Sequence, residues 1–149
     1  MQRDYILRLI EQAAAILRHL LQRVRERSVD PAGLRQDLQR ASHLGGLDLD
    51  LLRLCDSQTL LHIVAPAGEI DPSRVWLAAE ILYLDALALD ADGEAEAAID
   101  RFGKAAALYP LVQPGWGLPT GFPEAATRLQ DIESRLAGLV GESEESATD

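Results

Sequence analysis

Apolar positions in the first part of the chain recur at helical spacing. Ile6, Ile10, Ala13, Leu17, Leu20 and Val24 alternate four and three residues apart, which places them on one face of a helix over residues 2–26. Leu9, Ile16 and Leu21 widen that stripe beyond a thin coiled-coil seam, as suits a helix with two packing neighbours. Arg8, Glu11, Gln12, Gln22 and Arg25 fill the opposite side. Asp30-Pro31 restarts the chain with an N-cap residue and a proline in the first turn. The second helix then runs to about His43, with Leu34, Leu38 and Ala41 inward, and ends at Gly45-Gly46. Residues 1–45 therefore read as an antiparallel helical hairpin.

Residues 46–70 are less regular. Leu47, Leu49, Leu51, Leu52 and Leu54 partly alternate, but the rest of the chain offers no partner strand, so a short helix is preferred. Ser57 is the candidate cap of a second short helix carrying Leu60, Leu61, Ile63 and Val64, which Pro66-Ala67-Gly68 terminates. Asp71-Pro72 repeats the earlier start signal, and a long helix follows to about Asp90. Gly93 marks a tight turn before a helix from about Glu94 to Leu108. Prolines at 110, 114, 119 and 123 exclude regular helix over 110–123. A last helix is predicted over Glu124 to Leu139, and the small, acidic tail 141–149 reads as disordered. The fold class this predicts is all-α: one domain over residues 1–140, a compact bundle of antiparallel helical hairpins.

Composition agrees with that class. Hydrophobic residues make up 48% of the 149, aromatics only 5%, and the apolar content is mainly leucine and alanine, both strong helix formers. No stretch approaches the roughly 18 uncharged apolar residues of a membrane span. The N-terminus, broken by Arg8, Glu11 and Arg18, does not read as a signal peptide. With a single cysteine, Cys55, no intramolecular disulfide can form, and a cytoplasmic location without membrane insertion is the expectation.

Charge adds an asymmetry. The formal net charge is −10, yet residues 1–45 hold eight arginines against five acidic groups. Either this basic segment packs beside an acidic remainder, or its arginines meet an external anion. Arg18, Arg23, Arg25 and Arg27 are the candidates for an anion or membrane-surface contact, which would be strongly salt-dependent. Overall acidity argues against nucleic acid, whose binding is dominated by phosphate neutralisation.

Chemistry-bearing motifs are sparse. His19, His43, His62 and Cys55 form neither a His-Glu-x-x-His run nor a Cys-x-x-Cys pair, so no metal is expected. Cys55 and His62, seven apart, share a face only if one helix carries both. Cys55 has no adjacent basic cluster, no nucleophile elbow is present, and Gly45-Gly46 and Gly115-Trp116-Gly117 lack a phosphate-loop context. Asp90 with Asp92, and Glu94 with Glu96, read as solvated helix ends. No catalytic residue and no cofactor is expected.

Residues 79–110 carry the most specific pattern. Small residues fall on Ala86, Ala98 and Ala105, a turn glycine on Gly93, an aromatic on Phe102 and a closing proline on Pro110. This spacing resembles a tetratricopeptide repeat. Three framework positions depart from it: Leu82 replaces an aromatic, Asp85 a leucine and Leu89 a tyrosine. The opening Asp4-Tyr5-Ile6-Leu7-Arg8-Leu9-Ile10-Glu11 looks like the start of a family of uncharacterised bacterial proteins, which implies no activity. The repeat resemblance implies protein binding on a concave face at Glu80, Tyr83, Leu87 and Asp90, an acidic, partly apolar surface suited to a basic or amphipathic segment and not to an acidic C-terminal tail. Trp116, in the long connection, is either a further contact or a plug on the core. The functional expectation is a non-enzymatic protein-interaction module, with a homodimer through the first helix as one form. The alternative is a small-ligand binder or enzyme with a pocket under residues 110–123.

Overall fold

A computed structural model describes residues 2–28, 30–65, 71–112 and 124–147. Among these the chain is all-helical: α1 (Gln2–Arg25), α2 (Pro31–Leu44), α3 (Leu49–Leu54), α4 (Ser57–Val64), α5 (Pro72–Ala91), α6 (Ala95–Leu108) and α7 (Glu124–Ala147), with a single 3-10 turn at Tyr109–Leu111. The last helix continues beyond the end expected at Leu139, through acidic sequence read as a disordered tail. Glu and Ala are good helix formers, and nothing between Leu139 and Ala147 breaks a helix except Gly141.

Four helices start on an aspartate. Asp30, Asp48, Asp56 and Asp71 accept hydrogen bonds from the backbone N–H of Gly33, Asp50, Thr59 and Ser73 at 2.5, 2.9, 2.7 and 3.1 Å. The cap of α4 is thus Asp56, one residue before the predicted Ser57, because its carboxylate reaches the Thr59 N–H. That bond is the main reason the Asp56 carboxyl lies below its usual pKa.

Three helices end alike. Ser28, Leu47 and Glu94 each donate a backbone N–H to the carbonyl five residues back, at 2.9, 2.8 and 2.9 Å. This closure needs a left-handed residue just before the donor. Gly46 (φ 71°) and Gly93 (φ 79°) fill that position after α2 and α5, whereas α1 uses Arg27 (φ 56°).

Helix α5 is the axis of the fold. Its residues from Ser73 to Leu87 are buried on almost every side, with only Arg74 half-buried. It packs most extensively on α6 and then on α1, while α2 packs on α1 and α7 on α6. Ala86 and Ala98 are fully buried and let α5 and α6 approach closely, and Phe102 fills the space between them. One continuous core runs from Ala13 in α1 to Leu139 in α7. Of the α1 stripe, Ala13, Leu17 and Leu20 belong to that core, Ile10 is buried outside it, and Val24 packs half-buried against it.

Asp85 explains one departure from the repeat pattern. Its side chain is 4% exposed and holds Arg53 of α3 through Nη2 at 2.7 Å and Nε at 3.0 Å, and Arg101 of α6 through Nε at 3.2 Å. Lys104 of α6 donates to the Arg53 carbonyl at 2.5 Å, capping the C-terminus of α3. A buried carboxylate at this position fixes α3 to both α5 and α6.

Candidate functional site

Glu80, Tyr83, Leu87 and Asp90 are spaced three, four and three residues apart, so α5 presents them along one face. Arg128, Asp131 and Arg135 of α7 are likewise three and four apart. The two rows meet. Arg128 Nε lies 3.0 Å from Glu80 Oε1, the Tyr83 hydroxyl donates to Asp131 Oδ2, and Arg135 Nη1 lies 3.3 Å from Asp90 Oδ2. Arg135 Nε also reaches Asp131 at 2.9 Å, and the Arg128 guanidinium stands 5.3 Å above the Tyr83 ring. The acidity inferred for this face is therefore offset by α7. Glu80 and Asp90 already have arginine partners within the chain, and a surface that reads as acidic on α5 alone is not acidic once α7 is in place.

Between these rows and the end of α1 lies a cleft of about 530 Å³. Val24, Arg25 and Arg27 form one wall, Tyr83, Leu87, Asp90 and Ala91 the floor, and Thr127, Arg128, Asp131 and Arg135 the other wall. Tyr83 is held from beneath by an edge-on contact with Phe102, ring centroids 6.1 Å apart. Burial, then the hydrogen bond and charge of Asp131, push the Tyr83 hydroxyl up to about pKa 12. Tyr109 donates to Glu80 at 2.5 Å, and burial followed by the Glu80 charge raises its pKa well above the ordinary value. Burial opposes the charge of Arg128, but the charge and hydrogen bond of Glu80, together with Tyr109 and Tyr83, outweigh it and the guanidinium pKa ends raised.

Of the predicted recognition residues, Tyr83, Leu87 and Asp90 line the cleft and Glu80 sits behind it; Glu80, Tyr83 and Leu87 are all buried, and only Asp90 is half-buried. Trp116 and the connection over 113–123 lie outside the described residues. Of the four candidate anion contacts, Arg25 and Arg27 reach the cleft; Arg23 turns back to the Ser28 carbonyl at 3.3 Å and Arg18 is exposed elsewhere. The α7 residues escaped sequence reasoning because alternating charge on a helix ordinarily marks a solvated face.

The remaining candidates stay apart. Cys55 ends α3 and His62 belongs to α4, so no single helix carries both. No group of three or more His, Cys, Asp or Glu side chains is placed to hold a metal among the described residues. Asp92, Glu94 and Glu96 are exposed at helix ends. No helix among the described residues is long and apolar enough to cross a membrane. No family model, no curated protein and no solved structure matches this chain.

Proposed function

We propose that the chain is a non-enzymatic interaction module that holds a segment of a protein partner in the cleft between α1, α5 and α7. Contacts along α5 and α6 support a tetratricopeptide-like hairpin: Glu80 meets Tyr109, while Asp85, further along α5, meets Arg101, earlier on α6. That register is the one of antiparallel helices. On this reading α1 and α2 are the preceding hairpin, and α7, which packs on α6, is the first helix of a following one. Stacked hairpins of this kind line a concave surface with their first helices. The observation that carries the reading is the composition of the cleft, whose lining comes from α1 with its closing turn, from α5 and from α7, with no residue of α2 or α6.

A photo-crosslinking residue at Thr127, in the cleft, tests this against one at Gln130, exposed on the same helix. Illumination in the native host is expected to give a discrete protein adduct from Thr127 and none from Gln130. Adducts of equal yield from both positions, or from neither, would refute the reading.

A further inference from the structure

The cleft carries a charge surplus that its own walls do not consume. Four arginines line it against two aspartates. Both aspartates are engaged: Asp90 by Arg135, and Asp131 by Arg135 and the Tyr83 hydroxyl. Glu80, behind the floor, is engaged by Arg128 and Tyr109. Arg25 and Arg27 are exposed, and neither guanidinium has a hydrogen-bond or ion-pair partner among the described residues; the one bond of Arg27 outside the helices is from its backbone N–H to the Val24 carbonyl. Two arginines without a side-chain partner thus line a cleft on a chain whose formal net charge is −10.

Arg27 is there against local preference. It occupies the left-handed position that glycine fills at the two equivalent helix ends, and a side chain in that conformation costs roughly 1 kcal/mol. Beside the arginines, Val24, Leu87 and Ala91 supply an apolar strip. The lining therefore matches a segment that alternates carboxylates with apolar side chains.

We propose that the cleft binds an acidic, partly apolar peptide segment, with Arg25 and Arg27 pairing its Asp or Glu carboxylates; this rests on the reading of the cleft as a protein-binding groove. Arginine suits the task because its planar fork takes a carboxylate in two parallel hydrogen bonds. The acidic remainder of the molecule repels such a segment elsewhere. At physiological salt, where the Debye length is about 8 Å, that repulsion is local and leaves the cleft as the favoured place for carboxylates.

The test pans a random linear-peptide display library on the full chain, with Thr127→Trp, which sets a bulky ring on the cleft wall, as the counter-selection. Peptides that bind the chain but not this variant are expected to be enriched in Asp and Glu interleaved with apolar residues. The best of them, synthesised with a fluorophore, should lose affinity on the order of tenfold in Arg25→Gln/Arg27→Gly, by polarisation, and should bind more weakly as salt rises. Glycine is the preferred residue at position 27, so that loss would not come from unfolding. Cleft-dependent peptides that are neutral or basic, or an affinity unchanged in the double variant, would overturn the acidic preference while the groove reading stands. Recovery of no cleft-dependent peptide would overturn both.

Discussion

Replacing Asp85 by leucine, the residue that the repeat pattern favours there, should destabilise the chain although it adds apolar volume to a buried position. The carboxylate is 4% exposed and makes three hydrogen bonds to the guanidiniums of Arg53 and Arg101, which are themselves 21% and 19% exposed. Removing one partner of a fully buried ion pair costs about 3–5 kcal/mol, mostly because the other charge is left without compensation. Here the two stranded arginines retain some access to water, so the loss in Asp85→Leu should be smaller, about 2–3 kcal/mol. Asp85→Asn removes the charge and replaces one of the two accepting oxygens by an amide N–H2 that faces a guanidinium N–H, so it should cost about as much, roughly 2–3 kcal/mol. Urea denaturation followed by far-ultraviolet circular dichroism would measure both, with an unchanged m-value as the check that the two end states are the same. Because Arg53 lies in the last turn of α3, amide exchange at Leu52 and Arg53 should quicken in Asp85→Leu before global stability is exhausted. A leucine variant within about 0.5 kcal/mol of the parent would mean that Asp85 does not bind α3 and α6 to α5, and the account of that position would be wrong.

Other positions give sharp contrasts. A Cβ at Gly45 would stand 2.0 Å from Leu77 Cδ2, and Leu77 is fully buried, so Gly45→Ala should cost about 1–3 kcal/mol; Gly103→Ala, mid-helix in α6 with nothing within 4 Å, should instead gain about 0.5–1 kcal/mol, and thermal melts separate the two. Arg27→Gly should raise stability by up to about 1 kcal/mol by relieving its left-handed backbone, read from the same melts, and a lower melting point would refute the strain. The folded Tyr83 pKa of about 12 stands above the ordinary value of 10, so its contribution is whole below pH 10 and is lost as pH rises from 10 to 12, when the unfolded chain gives up the proton first. Tyr83→Phe should flatten part of that alkaline decline in denaturation midpoints; a curve superimposing on the parent's would contradict the assignment.

Much of the fold could be read before any coordinates. The Asp30-Pro31 and Asp71-Pro72 starts hold because cap and proline act within one turn, and Gly46 and Gly93 mark their helix ends for the same local reason. Ser57 gave way to Asp56 because adjacent residues of similar capping strength compete, and the Asp56 carboxylate is the one that reaches the Thr59 N–H. The candidate site was half legible. Periodicity placed Tyr83, Leu87 and Asp90 on one face, but their neighbours are distant in sequence. Only folding brings Arg25 and Arg27 from one end of the chain and Arg128 and Arg135 from the other to the same cleft, and so reverses the charge inferred from α5 alone. Long-range pairing leaves no periodic trace, which is also why Asp85 read as a departure rather than as an anchor.

The burial of α5 on nearly every side has a consequence for how the molecule comes into being. A helix without a water-facing side has no soluble form of its own, and α5 leaves the ribosome before α6, the neighbour that covers it most, has been made. For that interval α1 can shield one flank while the other stays bare. The core can then be completed only when the second half of the chain has been made, and until that point the growing chain carries apolar surface that the finished fold hides.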